Sequence, residues 1–278
     1  MRKSGNIEIN RAFTRGVLLP TCFILMLLLC WEVGVWLTGI EHWILPPPSV
    51  VIQTFFLSWP LLLTHIGPTV TETLIGLGIA IVVAVLIATL TDLAFWLRQT
   101  LYPPLVISQT IPIIAVAPLF MIWFGYGLTP KIIVVALVCF FPMTISLADG
   151  YRQVDPAMIK LLRSMGATRW HIFKMVKLPA ALPAFFSGLR IAGTYSVMGA
   201  VIGEWLGASK GLGVFMTRSS QSFQTDRVFA AILVIVLLSL LIYGLIEWIS
   251  RLVMPWQSQR VQQKTSHRDK KTISKNKE

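Results

Sequence analysis

Four carboxylates, Glu32, Glu72, Glu204 and Glu247, fall in or beside long apolar runs of a 278-residue chain, and their chemistry stands out first. An ionised acid in hydrocarbon is costly, so each is a candidate for a relay, a gate or a buried hydrogen bond. Glu204 precedes a turn-forming run, Gly207, Gly211 and Gly213. It reads either as a gating or structural hydrogen-bonding group, or as an interfacial charge. Glu72, with Thr69, Thr71 and Thr73 around it, reads either as a pathway-lining residue or as one at the outer membrane interface. Glu32 and Glu247 stand beside Trp31 and Trp248, the pattern of snorkelling interfacial side chains. No constellation supports catalysis. There is no GxxxxGK phosphate loop and no motif-placed Ser/His/Asp set. The histidines His42, His65, His171 and His267 are scattered, as loop or interfacial residues would be, and Cys22, Cys30 and Cys139 lie within apolar runs. Neither an enzyme nor a metal or cofactor on this chain is expected.

A different chemistry is concentrated in residues 151–185. Asp155-Pro156 is a helix-start pair, an oxygen acceptor at the cap followed by a residue without an N–H to satisfy. In the helix that follows, Met158, Leu161, Leu162 and Met165 share one face, with Lys160, Arg163 and Ser164 elsewhere around it. Gly166 is expected to end that helix at positive φ. Thr168 then caps a second short helix carrying Arg169, Trp170, Phe173 and Lys174, expected to stop before Leu178-Pro179 and Leu182-Pro183. A loop apolar at its centre and cationic at its rim is a docking surface for a soluble partner.

The elements that must hold these residues are membrane helices. With 55% hydrophobic and 13% charged residues and a mean hydropathy of +0.72, the chain is too apolar for a soluble domain of its length. Spans are predicted at 17–38, 70–91, 104–124, 131–149, 186–206 and 228–250, an all-α protein of six transmembrane helices. The third is expected to be kinked or broken, because Pro103, Pro104, Pro112, Pro118 and Pro130 crowd a stretch without charge. Residues 40–67, too short and interrupted to span, read as an interfacial helix on the outer face, with a re-entrant loop as the alternative. The net charge of +12 does not indicate nucleic acid, since the cations lie between apolar runs and in the tail. Of the 24 Lys and Arg, 19 fall on one side of these spans and only Lys131, Lys210, Arg218 and Arg227 on the other. That asymmetry predicts both termini and the charged loop in the cytoplasm. The chain then divides into a cytoplasmic segment 1–16, a six-helix membrane domain 17–251, and a basic tail 252–278 expected to be disordered and to touch lipid headgroups. Gly76, Gly78, Gly188, Gly193 and Gly199 are placed to let helices approach closely.

The acidic-Pro helix start, then Gly166 followed ten residues later by Val176, one spacer and Leu178-Pro179, resembles the EAA loop of bacterial ABC importer permeases. Lys160, Leu161 and Leu162 stand where that family has Glu-Ala-Ala. Leu45-PPPSVV, Ile111-PIIAVAPLFMIWFGYG, Phe140-FP and Gly203-EWLGASKGLG extend the resemblance over roughly residues 40 to 255, toward the nitrate, sulfonate, taurine and pyrimidine-precursor permeases. It implies a type I importer permease fold with cytoplasmic coupling helices in a bacterial inner membrane. Asp155, Pro156, Met158, Lys160, Leu161, Leu162, Met165, Gly166, Trp170, Phe173, Val176, Leu178 and Pro179 would couple to an ABC ATPase subunit that binds ATP and Mg on its own chain. A second permease copy, an extracytoplasmic solute-binding protein and membrane lipid would complete the assembly. Thr217-RSSQSFQTDRVFAAI is similar to permeases for thiamine pyrimidine precursors; sulfonate, taurine or nitrate are the alternatives. A secondary transporter is the rival class, disfavoured because the halves look dissimilar and the acids lie peripherally.

Overall fold

The computed structural model describes residues 4–256, and among these every regular element is helical. Residues 257–278, most of the basic tail, lie outside the described residues. Helix α1 (Ser4–Thr38) carries the first span, Leu18–Thr38, and is continuous with the segment expected to precede it. Then come α2 (Pro48–Leu57), α3 (Trp59–Leu93), α4 (Phe95–Ser108), α5 (Ile113–Phe124), α6 (Leu128–Arg152), α7 (Pro156–Ser164), α8 (Arg169–Ile172), a π-turn at Phe173–Lys177, α9 (Leu178–Trp205), α10 (Leu212–Gln221) and α11 (Thr225–Val253). Five helices are long and apolar enough to span, and α4 with α5 adds a sixth as a pair bent by 103°. The bend falls where Pro112 leaves the helical region, at φ −66° and ψ 113°, so the anticipated break is located at residues 109–112.

Two expectations about boundaries need correction. The outer-face helix is only Pro48–Leu57, while Trp59 already opens the 35-residue α3. Hydropathy ended the second span at residue 70 because His65, Thr69, Glu72 and Thr73 follow the helical period as a polar stripe; all four are buried and hydrogen-bonded, so the helix does not end there. Likewise no stop precedes Leu178-Pro179. α8, the π-turn and α9 form one helical run, Arg169–Trp205. A wider turn moves the preceding carbonyls away from the Pro179 ring, which removes the clash that would otherwise break the helix.

The described residues form two compact units, one up to Leu63 with Phe215–Leu233, the other Thr64–Val214 with the residues from Val234. In the first, Glu32 accepts hydrogen bonds from Ser49 N (3.0 Å) and Oγ (2.6 Å), capping α2 from a neighbouring helix. Thr54 donates to Asp226 at 2.8 Å.

The second unit is built on an antiparallel hairpin of α6 and α9. Its register is set by small residues: Gly150 opposes Ala181 and Ala184, Gly188 lies against Met143 and Ser146, Cys139 Sγ donates to the Ala192 carbonyl at 3.3 Å, Gly199 faces Val135, and Gly203 faces Lys131. A Cβ on Gly188 would lie 2.7 Å from Ser146 Cβ, so the seam depends on its absence. Gly78, expected in such a seam, faces open space. The core adds Ala80, Ala84, Val135 and Met143, while large side chains such as Val82 and Leu86 point outward, as lipid-facing surfaces do. Glu247 pairs with Arg190 at 2.6 Å and with Arg251 at 2.9 Å.

Candidate functional site

At one end of the hairpin the chain from Gln153 to Lys177 crosses from α6 to α9. Asp155 Oδ1 accepts from Ala157 N at 2.8 Å and Pro156 takes the first helical position, so α7 starts where its sequence signal lies. It stops at Gly166, φ +82°. Gly166 N–H bonds the Arg163 carbonyl and Ala167 N–H the Leu162 carbonyl, both at 3.0 Å, which is a Schellman closure. Thr168 Oγ1 then accepts from His171 N at 3.3 Å. Of the apolar face, Met158, Leu161 and Met165 are 49%, 62% and 74% exposed, and Leu162 is half-buried. Lys160 and Trp170 are exposed as well, Val176 and Pro179 are half-buried, and Leu178 is at the margin. Phe173 differs. It is buried against Tyr151 and stacks on Trp170 with centroids 5.7 Å apart, so it anchors the loop to the hairpin and presents nothing to a partner.

At the far end of the hairpin the charges are enclosed. Glu72 and Glu204 are each 1% exposed, and Lys131 is 8% exposed. Lys131 Nζ donates to Glu72 Oε1 at 2.6 Å. Glu204 accepts from Thr69 Oγ1 and from Gly213 N, both at 2.5 Å, and Leu212 N donates to Thr69 Oγ1 at 2.9 Å. Gly211 N donates to His65 Nδ1 at 3.1 Å. One stripe of α3 thus grips the turn that follows α9. Glycine is required there twice over: Gly211 has φ +134°, and a Cβ on it would collide with the Glu204 carboxylate. Both sequence candidates therefore lie together among buried, hydrogen-bonded side chains. Sequence reasoning placed Lys131 among the loop cations and His65 among the loop histidines. Their i-to-partner spacing across separate helices left no local signal.

The third feature is a cavity of about 430 Å³ beside the α4–α5 break, lined by Ser108, Gln109, Ile113, Phe141, Ser146 and Tyr195 among others, with no charged side chain among its lining. Backbone freed at a helix break within a membrane domain is tolerated where it faces a cavity. Ile113 and Phe141 fall within motifs quoted for the family resemblance, but none of these residues was named from sequence as lining a pathway. Gln109, the amide next to Pro112, was the available signal.

Comparison with known proteins supplies the context. A family described as "Binding-protein-dependent transport system inner membrane component" matches residues 76–255. The formylaminopyrimidine transport permease protein ThiX of Halalkalibacterium halodurans is 39% identical over 87% of this chain and 96% of that protein. The riboflavin transport system permease protein RibX of Chloroflexus aurantiacus is 35% identical over 84% of this chain and 88% of that protein, and the taurine transport system permease protein TauC of Escherichia coli is 29% identical over 88% and 92%. Among solved structures, the MetNI methionine ABC transporter in inward-facing form matches with TM-score 0.62 at 21% identity, over 70% of this chain and 97% of that one.

Proposed function

Because the chain belongs to the binding-protein-dependent transport inner-membrane family and is the permease subunit of an ABC importer, with the type I permease fold, we propose that its solute is an uncharged aminopyrimidine of the thiamine-precursor kind. The observation that carries this reading is the lining of the cavity at the helix break: hydroxyl and amide groups with aromatic and aliphatic walls, and no charge. A neutral heterocycle needs such neighbours. A sulfonate, taurine or nitrate would bring a formal charge into a wall with no opposite charge, at a desolvation cost of several kcal/mol. The 39% identity to ThiX points the same way.

The remaining parts follow from the family. A second copy of this chain completes the pathway, a binding protein delivers the solute, and a separate ATPase chain, holding ATP and Mg, presses on residues 156–179. The termini and this loop lie on the cytoplasmic side. Cysteine labelling in intact cells tests the orientation: a cysteine at Ser209 should react from outside and one at Ser164 should not, and the reverse would refute it. Uptake decides the solute. Cells carrying the complete importer should accumulate radiolabelled formylaminopyrimidine, with excess taurine failing to compete. Equal competition by taurine, or accumulation of taurine itself, would overturn the assignment.

A further inference from the structure

α7 has a second face. Ile159 and Arg163, four residues apart, lie roughly 150° around the helix from the exposed Met158, Leu161 and Met165. They line an open cavity of about 280 Å³ bounded elsewhere by the end of α3, the first turn of α4 and the start of the Arg169–Trp205 run. Into it come Arg98, Arg163, Arg169 and Lys177, against a single carboxylate, Asp92. That carboxylate is already engaged, since both of its oxygens accept from Lys177 Nζ, at 2.7 and 2.8 Å. The guanidinium groups of Arg98, Arg163 and Arg169 have no hydrogen-bond or ion-pair partner among the described residues. Three guanidinium groups on separate elements thus converge without an anion between them.

Such convergence does not stabilise the folded chain, because like charges repel. An anion reverses the sign. Guanidinium forks match the oxygens of a phosphate in paired hydrogen bonds, and the cavity holds roughly nine water volumes, ample for a phosphate ester. Depth matters too. Leu93 ends one helix that contains an apolar span and Arg169 begins another, so the cavity sits at the polar ends of two span-bearing helices, the side from which headgroup phosphates are reached. Leu93, Ile159 and Ile172 give it an apolar wall beside the cationic one.

We propose that this cavity is a binding site for a phosphate-bearing anion, supplied by an anionic phospholipid headgroup or by a free phosphate ester, held by Arg98, Arg163 and Arg169 behind the coupling helix. The site is independent of which solute is imported. A partner protein seated on the exposed apolar face of α7 approaches from another direction, so both can be occupied together.

Native mass spectrometry of the full-length chain, expressed with its partner subunits, delipidated and titrated with phosphatidylglycerol or phosphatidylcholine, tests the proposal. Phosphatidylglycerol should bind saturably and outlast phosphatidylcholine. The Arg163→Gln/Arg169→Gln variant should weaken it at least about tenfold, whereas Lys160→Gln/Lys174→Gln, the same loss of two charges at exposed positions of the same loop outside the cavity, should change it by less than about twofold. Arg98→Lys keeps the charge without the fork and should lose about three- to tenfold, a check that does not depend on the double variant assembling. Competition by glycerol 3-phosphate at similar concentration would identify a free ester as the source, and failure to compete would identify the lipid. Equal retention of both lipids with no displacement by glycerol 3-phosphate, or phosphatidylglycerol binding unchanged in both arginine variants, would overturn the site.

Discussion

The two ends of the α6–α9 hairpin use charge in opposite ways. At the end formed by Gly203 to Gly213, two carboxylates and one ammonium are sealed from solvent, and each bonds a named partner, with Glu72 Oε2 the one oxygen left unpaired among the described residues. At the end formed by Gln153 to Lys177, three guanidinium groups and an exposed apolar helix face stand without partners among the described residues. The first arrangement fixes a turn against α3. The second leaves cationic and apolar surface available to a partner. One hairpin therefore joins a rigid end, where a lost partner damages the fold, to a receptive end, where a lost side chain damages binding.

The largest effect should come from Lys131→Met, which strands Glu72 in the core and is expected to cost about 3–5 kcal/mol. Thermal unfolding of the purified protein in detergent would register it as a large loss of stability. The double variant Glu72→Leu/Lys131→Met should recover most of that loss, because it removes both charges. A double variant as unstable as the single one would mean that the network contributes more than its charge balance.

Next is Gly211→Ala, which forces a side chain into φ +134° and against the Glu204 carboxylate. Strain of that kind costs about 1–3 kcal/mol. Local hydrogen exchange at residues 207–213 should rise well before global unfolding does; unchanged protection there would contradict a rigid end.

At the receptive end the comparison predicts the converse. Leu161→Ala/Met165→Ala should leave stability within about 0.5 kcal/mol, yet weaken co-purification with the ATPase, since the truncated carbons would otherwise be buried at about 0.8 kcal/mol per methylene. A lowered unfolding temperature with intact co-purification would place these side chains in the fold rather than in an interface.

Smallest of all should be Lys160→Ala, an exposed rim charge expected to contribute about 0–1 kcal/mol to the same association. If it weakens co-purification more than the apolar pair does, the contact is electrostatic at its centre, and the reading of the apolar face fails.

The sequence by itself determined what local chemistry dictates. Asp155-Pro156, Gly166 and Thr168 marked the turns and caps of the loop because each acts through its own backbone and the next few residues. The apolar runs located the spans, and the crowd of prolines announced a break between residues 99 and 130. Tertiary structure decided everything that depends on a residue from another helix. Whether His65, Thr69 and Glu72 end a span or continue it turned on Glu204, Gly211 and Lys131, which lie far along the chain. Leu178-Pro179 looked like a stop, yet a π-turn anchored by buried Phe173 carried the helix through. Arg98, Arg163 and Arg169, unremarkable as separate cations, became a cavity only when three elements met. Hydropathy and capping are properties of neighbours in sequence, whereas burial and ion pairing are properties of neighbours in space, and in a membrane domain the second set decides which charges are tolerated.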